Sequence, residues 1–271
     1  MDVGQQLRRL EARLSGEHEE HPPEVVHSFV DEALSRFTGA RVSAFVPILV
    51  ERRVRARMKP SPRPDRVDLP RGQAFALDSP YAEPMSLRTW AWFTAKRLLE
   101  RELPRRWAHT RGVASTAARI APLLPLADRQ ILIASAWLHD IGYAEDLIDT
   151  GFHQLDGARF LRREGIPVRV CALVAHHAGA AAVAELRGLA PQLAEFDDER
   201  SAVRDALWYS DMTTSPDGDP VVFADRMREI RSRRGPDDPV VRALDVNGDE
   251  RAAAVRRTEE LLWSGARLTA V

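Results

Sequence analysis

Near the middle of the chain, Trp137-Leu138-His139-Asp140-Ile141-Gly142 sets an imidazole and a carboxylate side by side at the end of the apolar segment Ile131 to Leu138. Burial there would fix both side chains. His109 stands upstream and His153, His176, His177 and Asp211 downstream, so five of the eight histidines fall between residues 109 and 177. Neutral imidazole and ionised carboxylate are ligands for divalent ions such as Zn, Mn and Fe, and a mixed nitrogen and oxygen set points away from thiolate chemistry. A single histidine beside an apolar helix is more often a hydrogen-bonded core residue than a ligand. The set together reads as one metal centre.

The elements that must position these residues read as helices. Ser86 is a good N-cap for a segment with Trp90, Phe93 and Leu98 on its apolar side. Pro104 fits the first turn of the helix holding His109, and Asp128 sits at the mouth of the next, which ends at Gly142. His153 begins another. Pro167 opens a further one that runs to His176-His177 and stops at Gly179, and Asp197-Asp198-Glu199 suits the start of the one leading to Asp211. Two amphipathic segments, Val221 to Ile230 and Ala252 to Leu262, finish the chain, separated by turn-rich stretches at 234–238 and 245–249. No run of alternating β-branched residues is present, so the expected fold class is all-α.

Upstream, residues 1–58 read as a small three-helix bundle, with Leu7, Leu10 and Leu14 at helical spacing and Val26, Phe29, Val30, Ala33 and Leu34 sharing a second face. Six prolines between Lys59 and Pro84 mark a linker over 59–85. Residues 86–271 form the main domain. The stretch Arg41 to Arg52, Arg-Val-Ser-Ala-Phe-Val-Pro-Ile-Leu-Val-Glu-Arg, resembles the three-helix dimerisation domain found in actinobacteria, which implies a homodimer through residues 1–58. A rival reading takes Arg52, Arg53, Arg55, Arg57 and Lys59 as a phosphate or nucleic-acid site, although such a run is usually a solvated helix face. His18, His21 and His27 read as surface or packing histidines.

Composition narrows the classes. A net charge of -1 argues against nucleic-acid binding over the whole surface. Cys171 is the only cysteine, so no internal disulfide can form and a cytoplasmic location is expected. No apolar run approaches the length of a membrane span.

His109, His139-Asp140 and Asp211 together resemble the H...HD...D signature of the HD superfamily of metal-dependent phosphohydrolases, over about residues 86 to 215. The resemblance implies that His109, His139, Asp140 and Asp211 bind one divalent ion. His153 and the pair His176-His177 resemble the added motifs of dinuclear members. By that likeness Asp140 bridges, His153 and His176 complete a second site, and His177 contacts substrate or leaving group. One or two ions of Mn, Fe, Zn, Co or Mg are implied, with metal-activated water hydrolysing a phosphate ester or anhydride, as of a nucleotide.

Two other functions share this fold: HD-type di-iron oxygenases, and non-catalytic HD modules that bind a partner. The glycine-rich element of the HD-GYP phosphodiesterases is missing after His177. Arg111, Arg159, Arg162 and Arg163 read as surface arginines rather than phosphate clamps. Trp107, Trp137 and Trp208 read as core around the site. Asp245 to Glu250 begins like a calcium loop, but Glu250 stands where Gly is needed and Arg256 where the last carboxylate belongs, so it reads as a turn.

Overall fold

The computed structural model describes residues 3–17, nine further positions between Val26 and Arg55, and residues 85–269. The chain divides into two compact units, Met1–Leu69 and Pro70–Val271. In the first, α1 spans Val3–Glu17 and buries Leu7, Leu10 and Leu14, as their spacing predicts. Val26, Val30, Ala33, Val50 and Val54 are also buried, and Glu51 pairs with Arg13 and Arg55. His18, His21, His27, Arg52, Arg53, Arg57, Lys59 and nearly all of the 59–85 segment lie outside the described residues.

The second unit is built of helices joined by loops over its described length. Its elements are α2 (Leu87–Leu99), α3 (Pro104–Ile120), α4 (Leu126–Leu138), α5 (His153–Arg163), α6 (Val168–Ala175), α7 (Ala180–Leu186), α8 (Ala190–Leu193), α9 (Ala202–Met212), α10 (Phe223–Arg234) and α11 (Pro239–Thr269). Short 3₁₀ turns at Ile141–Tyr143 and His177–Gly179 follow α4 and α6. An isolated bridge between Thr214 and Pro220 is the one extended pairing among the described residues. No described helix is long and apolar enough to cross a membrane.

The helix α4 lies at the centre. Every residue from Leu132 to Leu138 is buried, because α2, α3, α6 and α9 pack around it. That surround is why its sequence is apolar on all sides rather than on one stripe. Trp137 stacks on Trp107 with ring centroids 5.6 Å apart, joining α4 to α3. Trp208 of α9 is buried and donates its indole N–H to the His176 carbonyl at 2.9 Å.

Helix ends mostly follow the expected signals. Ser86 caps α2 by accepting from the Thr89 N–H at 3.2 Å, and Pro104 opens α3. Two differ. Asp197 to Glu199 do not begin α9, whose cap is Ser201; Asp198 instead pairs with Arg204, and Glu199 with Arg169. At 245–249 the expected separation takes the form of a kink between two helical stretches rather than a loop. These residues lie inside α11, which kinks at Asn247 (φ -120°, ψ 22°). There the Asn247 side chain donates to the Gly179 carbonyl at 3.0 Å, so a tertiary bond takes over where the helical ladder yields.

Candidate metal centre

The cluster assembles from helix ends. α3 carries His109 in its body, α4 delivers His139 at its last turn, and Asp140 follows where the backbone leaves the helix (φ -105°, ψ 5°). α9 supplies Asp211, α5 begins with His153, and the turn after α6 begins with His177. Candidate ligand atoms of His109, His139 and Asp211 lie within 4.8 Å of one another, as do those of His139, Asp140 and His177.

Asp140 joins the two groups. Its Oδ2 is 3.2 Å from His139 Nε2 and 3.8 Å from His109 Nε2, while its Oδ1 is 3.3 Å from His153 Nε2 and 3.7 Å from His177 Nε2. The two oxygens of one carboxylate thus face different pairs of imidazoles. Asp211 Oδ1 approaches His109 Nε2 at 3.0 Å.

The backbone sets which way each ring points. Nδ1 of His109 lies 2.9 Å from the Ser215 carbonyl, that of His139 2.8 Å from the Ala136 carbonyl, and that of His177 2.7 Å from the Val174 carbonyl. A carbonyl only accepts, so Nδ1 carries a proton in all three and Nε2 is the atom turned inward, where its lone pair can serve a metal. His139 Nε2 is buried and has no hydrogen-bond partner among the described residues. His153 Nε2 and His177 Nε2 face each other at 3.3 Å. Lone pairs and carboxylates converging in this way repel unless a cation stands among them, and hard-to-borderline divalent ions suit the nitrogen and oxygen donors. The residues present therefore fit a divalent metal.

Neighbouring groups reinforce that polarity. Burial alone would raise the Asp140 carboxyl, but the Arg106 guanidinium, 2.7 Å from Oδ2, holds it well below the usual carboxylate range. Enclosure pushes His153 down to about 4, which keeps its imidazole neutral at pH 7. Tyr143 stacks on His153 at 3.9 Å and carries Arg106 4.2 Å from its ring centroid, so one aromatic side chain positions both. A Cβ at Gly142 would stand 2.0 Å from the His153 carbonyl oxygen. The glycine is there for the close approach of α5 to the 3₁₀ turn, and that approach brings His153 to Asp140. Asp156 anchors the chain entering α5 by accepting from the Thr150 and Gly151 N–H groups at 2.9 and 3.0 Å.

The paired histidines part company. His177 stands in the cluster, whereas Nε2 of His176 lies 2.7 Å from the Phe196 carbonyl, donates to it, and belongs to the packing of α6 against the following chain. The sequence expectation had placed His176 among the ligands and His177 toward substrate. The clamps weighed on sequence lie elsewhere as well: Arg159 and Arg162 pair with Glu195, and Arg111 is exposed.

Other arginines surround the site. A cavity of about 90 Å³ beside the cluster is lined by Asp140 and Asp211 and by Arg106, Arg226, Arg233, Arg234 and Arg251. A second cavity of about 360 Å³ shares Arg106, Tyr143, Arg226 and Arg233 with it. Arg106 had a sequence signal, lying three residues before His109 and hence on the same helical face. The arginines of α10 and α11 carried none.

No curated protein and no solved structure matches the chain significantly. Residues 106–214 match the family model of the HD domain, and that span begins at the arginine that holds Asp140 and runs just past Asp211. The converging imidazoles and carboxylates described above lie within the span that matches the HD domain, a domain of metal-dependent hydrolases.

Proposed function

We propose that the protein hydrolyses a phosphate ester or anhydride of a nucleotide or related small molecule at a dinuclear centre. His109, His139, Asp140 and Asp211 would hold one divalent ion, and Asp140, His153 and His177 the other, with His177 in the place sequence reasoning gave to His176. One observation carries this reading: the two oxygens of Asp140 face separate imidazole pairs, as a carboxylate shared by two ions must.

Bound divalent metal supplies water acidic enough to attack near neutral pH and neutralises charge on a phosphoryl oxygen. The chain's own residues do the rest. Arg106 fixes the Asp140 carboxylate and keeps it ionised. Tyr143 holds His153 in plane, and the guanidinium groups lining the cavity offer planar donors matched to phosphoryl oxygens. The tight cavity at the cluster admits a phosphoryl group, and the wider adjoining one suits an organic remainder.

The test is elemental mass spectrometry of protein purified without a metal-affinity tag or chelator, paired with p-nitrophenol release from bis-p-nitrophenyl phosphate and phosphate release from nucleotides. About two ions per chain with phosphate release is the expected result. Absence of metal after incubation with Mn, Zn, Fe or Co would overturn the centre. Two iron ions with oxygen consumption and no phosphate release would overturn hydrolysis.

A further inference from the structure

α10 and α11 lie beyond the HD match, yet they furnish most of the positive wall of the cavity that the metal donors line. Five arginines face two aspartates there, Arg106, Arg226, Arg233, Arg234 and Arg251 against Asp140 and Asp211, and divalent metal would widen the excess. Their own partners do not cancel it. Arg106 is committed to Asp140, Arg234 pairs with Asp238, and Arg226 and Arg233 share the single carboxylate of Glu229. Nε of Arg226, a residue 8% exposed, has no acceptor among the described residues.

Arg251 is the sharpest case. It is 3% exposed, and no carboxylate among the described residues lies within ion-pair distance of it. Its Nε donates to Asn247 Oδ1 at 2.6 Å, while its Nη2 has no acceptor among those residues. Burial pulls its pKa down to about 10, which still leaves it charged at neutral pH. A buried guanidinium is costly unless paired, and the carboxylates that favour its charge, Asp211 and Glu250, lie beyond ion-pair distance. The backbone keeps room for this arrangement: Gly179 has φ +68°, and a Cβ there would stand 2.4 Å from Asn247 Nδ2 and 2.9 Å from Arg251 Nη2.

We propose that α10 and α11 build a second anion subsite beside the metal centre, making the substrate a phosphoanhydride with at least two linked phosphoryl groups. One phosphoryl group sits at the His/Asp cluster, the phosphate joined to it lies against the arginines of α10 and α11, and the remaining body extends into the second cavity past Arg106, Tyr143, Arg226 and Arg233. Substrate class here rests on the phosphohydrolase reading above. In the reaction the oxygen of water forms the new bond to phosphorus and the bridging P–O bond breaks. Its electron pair leaves on the second phosphate, whose charge the arginines neutralise, and the proton lost by water passes to solvent.

The test is isothermal titration of the full chain with methylenediphosphonate, a non-hydrolysable pair of linked phosphonates, and with inorganic phosphate, in the Mn-loaded and the chelator-treated protein. Methylenediphosphonate is expected to bind the parent at least about tenfold tighter than phosphate, with Arg251→Gln weakening the diphosphonate by roughly 10- to 100-fold and phosphate far less. Arg226→Gln reads the same subsite from the other helix and carries the test if Arg251→Gln does not fold. Equal affinity of the two probes, or unchanged diphosphonate affinity in both variants, overturns the subsite. Metal content separates the two ideas: a parent that binds methylenediphosphonate after chelation but never takes up metal would keep the subsite and end the hydrolase reading.

Discussion

Two regions face the same cavity and are built on different rules. In the cluster of the HD domain, three imidazoles are aimed by backbone carbonyls, from Ser215, Ala136 and Val174, so their direction is set by where helices end. In the wall from α10 and α11, arginines are held by other side chains, Glu229, Asp238 and Asn247. The first arrangement sets the direction of each ring from the backbone, and only particular residue types will serve. The second places positive charge, for which several positions would do. Aim comes from the backbone, and recognition from exchangeable side chains.

The largest expected effect falls at the residue the two halves of the cluster share. Asp140→Ala removes the carboxylate whose oxygens face both imidazole pairs and leaves Arg106 without its partner. Metal content should fall to near zero and phosphate release by at least about a thousandfold. Elemental mass spectrometry beside activity checks this, and metal content equal to the parent's would remove the proposed centre.

Next comes the pair of adjacent histidines. His177→Ala should cost about one ion per chain, because its Nε2 faces Asp140 Oδ1 and His153. His176→Ala should keep the metal and lose stability, by about 1 to 3 kcal/mol, because the buried Phe196 carbonyl loses its donor. Metal analysis with thermal unfolding of both variants decides it. Metal loss in His176→Ala with retention in His177→Ala would restore the ligand choice read from sequence.

That choice shows where the sequence stopped being legible. The all-α fold, the apolar core helix and the helix starts at Ser86 and Pro104 follow from periodicity and local chemistry, and the H...HD...D pattern marks the site because its residue types are few. Periodicity carries no information past a helix end. α6 stops at Ala175, His176 adopts φ -105°, and Ala178 has φ +50°, so which histidine turns inward depends on a local break that no helical spacing describes. Acidic residues at 197–199 carried an N-terminal signal, but Glu199 is taken by Arg169, a long-range partner invisible in local sequence, and Asp198 by Arg204 of the helix that follows. The arginine wall was illegible for another reason. Arginines recur along the whole chain, and only the fold distinguishes Arg251, buried in the cavity wall, from Arg111 on the surface.

Gly142→Ala sharpens the claim that backbone approach places the second half of the cluster. The added methyl cannot fit against the His153 carbonyl, so α5 must move away from the 3₁₀ turn and carry His153 with it. The expected result is partial loss of the second ion and a destabilisation of about 2 to 4 kcal/mol, read by metal titration and chemical unfolding. Unchanged metal affinity would mean that His153 is positioned by its stack on Tyr143 instead.

The smallest expected effect tests whether the two regions are independent. Asn247 spans the Gly179 carbonyl and the Nε of Arg251. Asn247→Ala removes both bonds, so stability should fall by about 1 kcal/mol and methylenediphosphonate affinity by a few-fold, as Arg251 loses its side-chain partner. Metal content should stay at the parental level, because His177, though only two residues from Gly179, is aimed by its own bond to the Val174 carbonyl. If metal were lost together with diphosphonate binding, the kink of α11 would be part of the scaffold that aims His177. The side-chain wall and the backbone-set cluster would then be one cooperative unit.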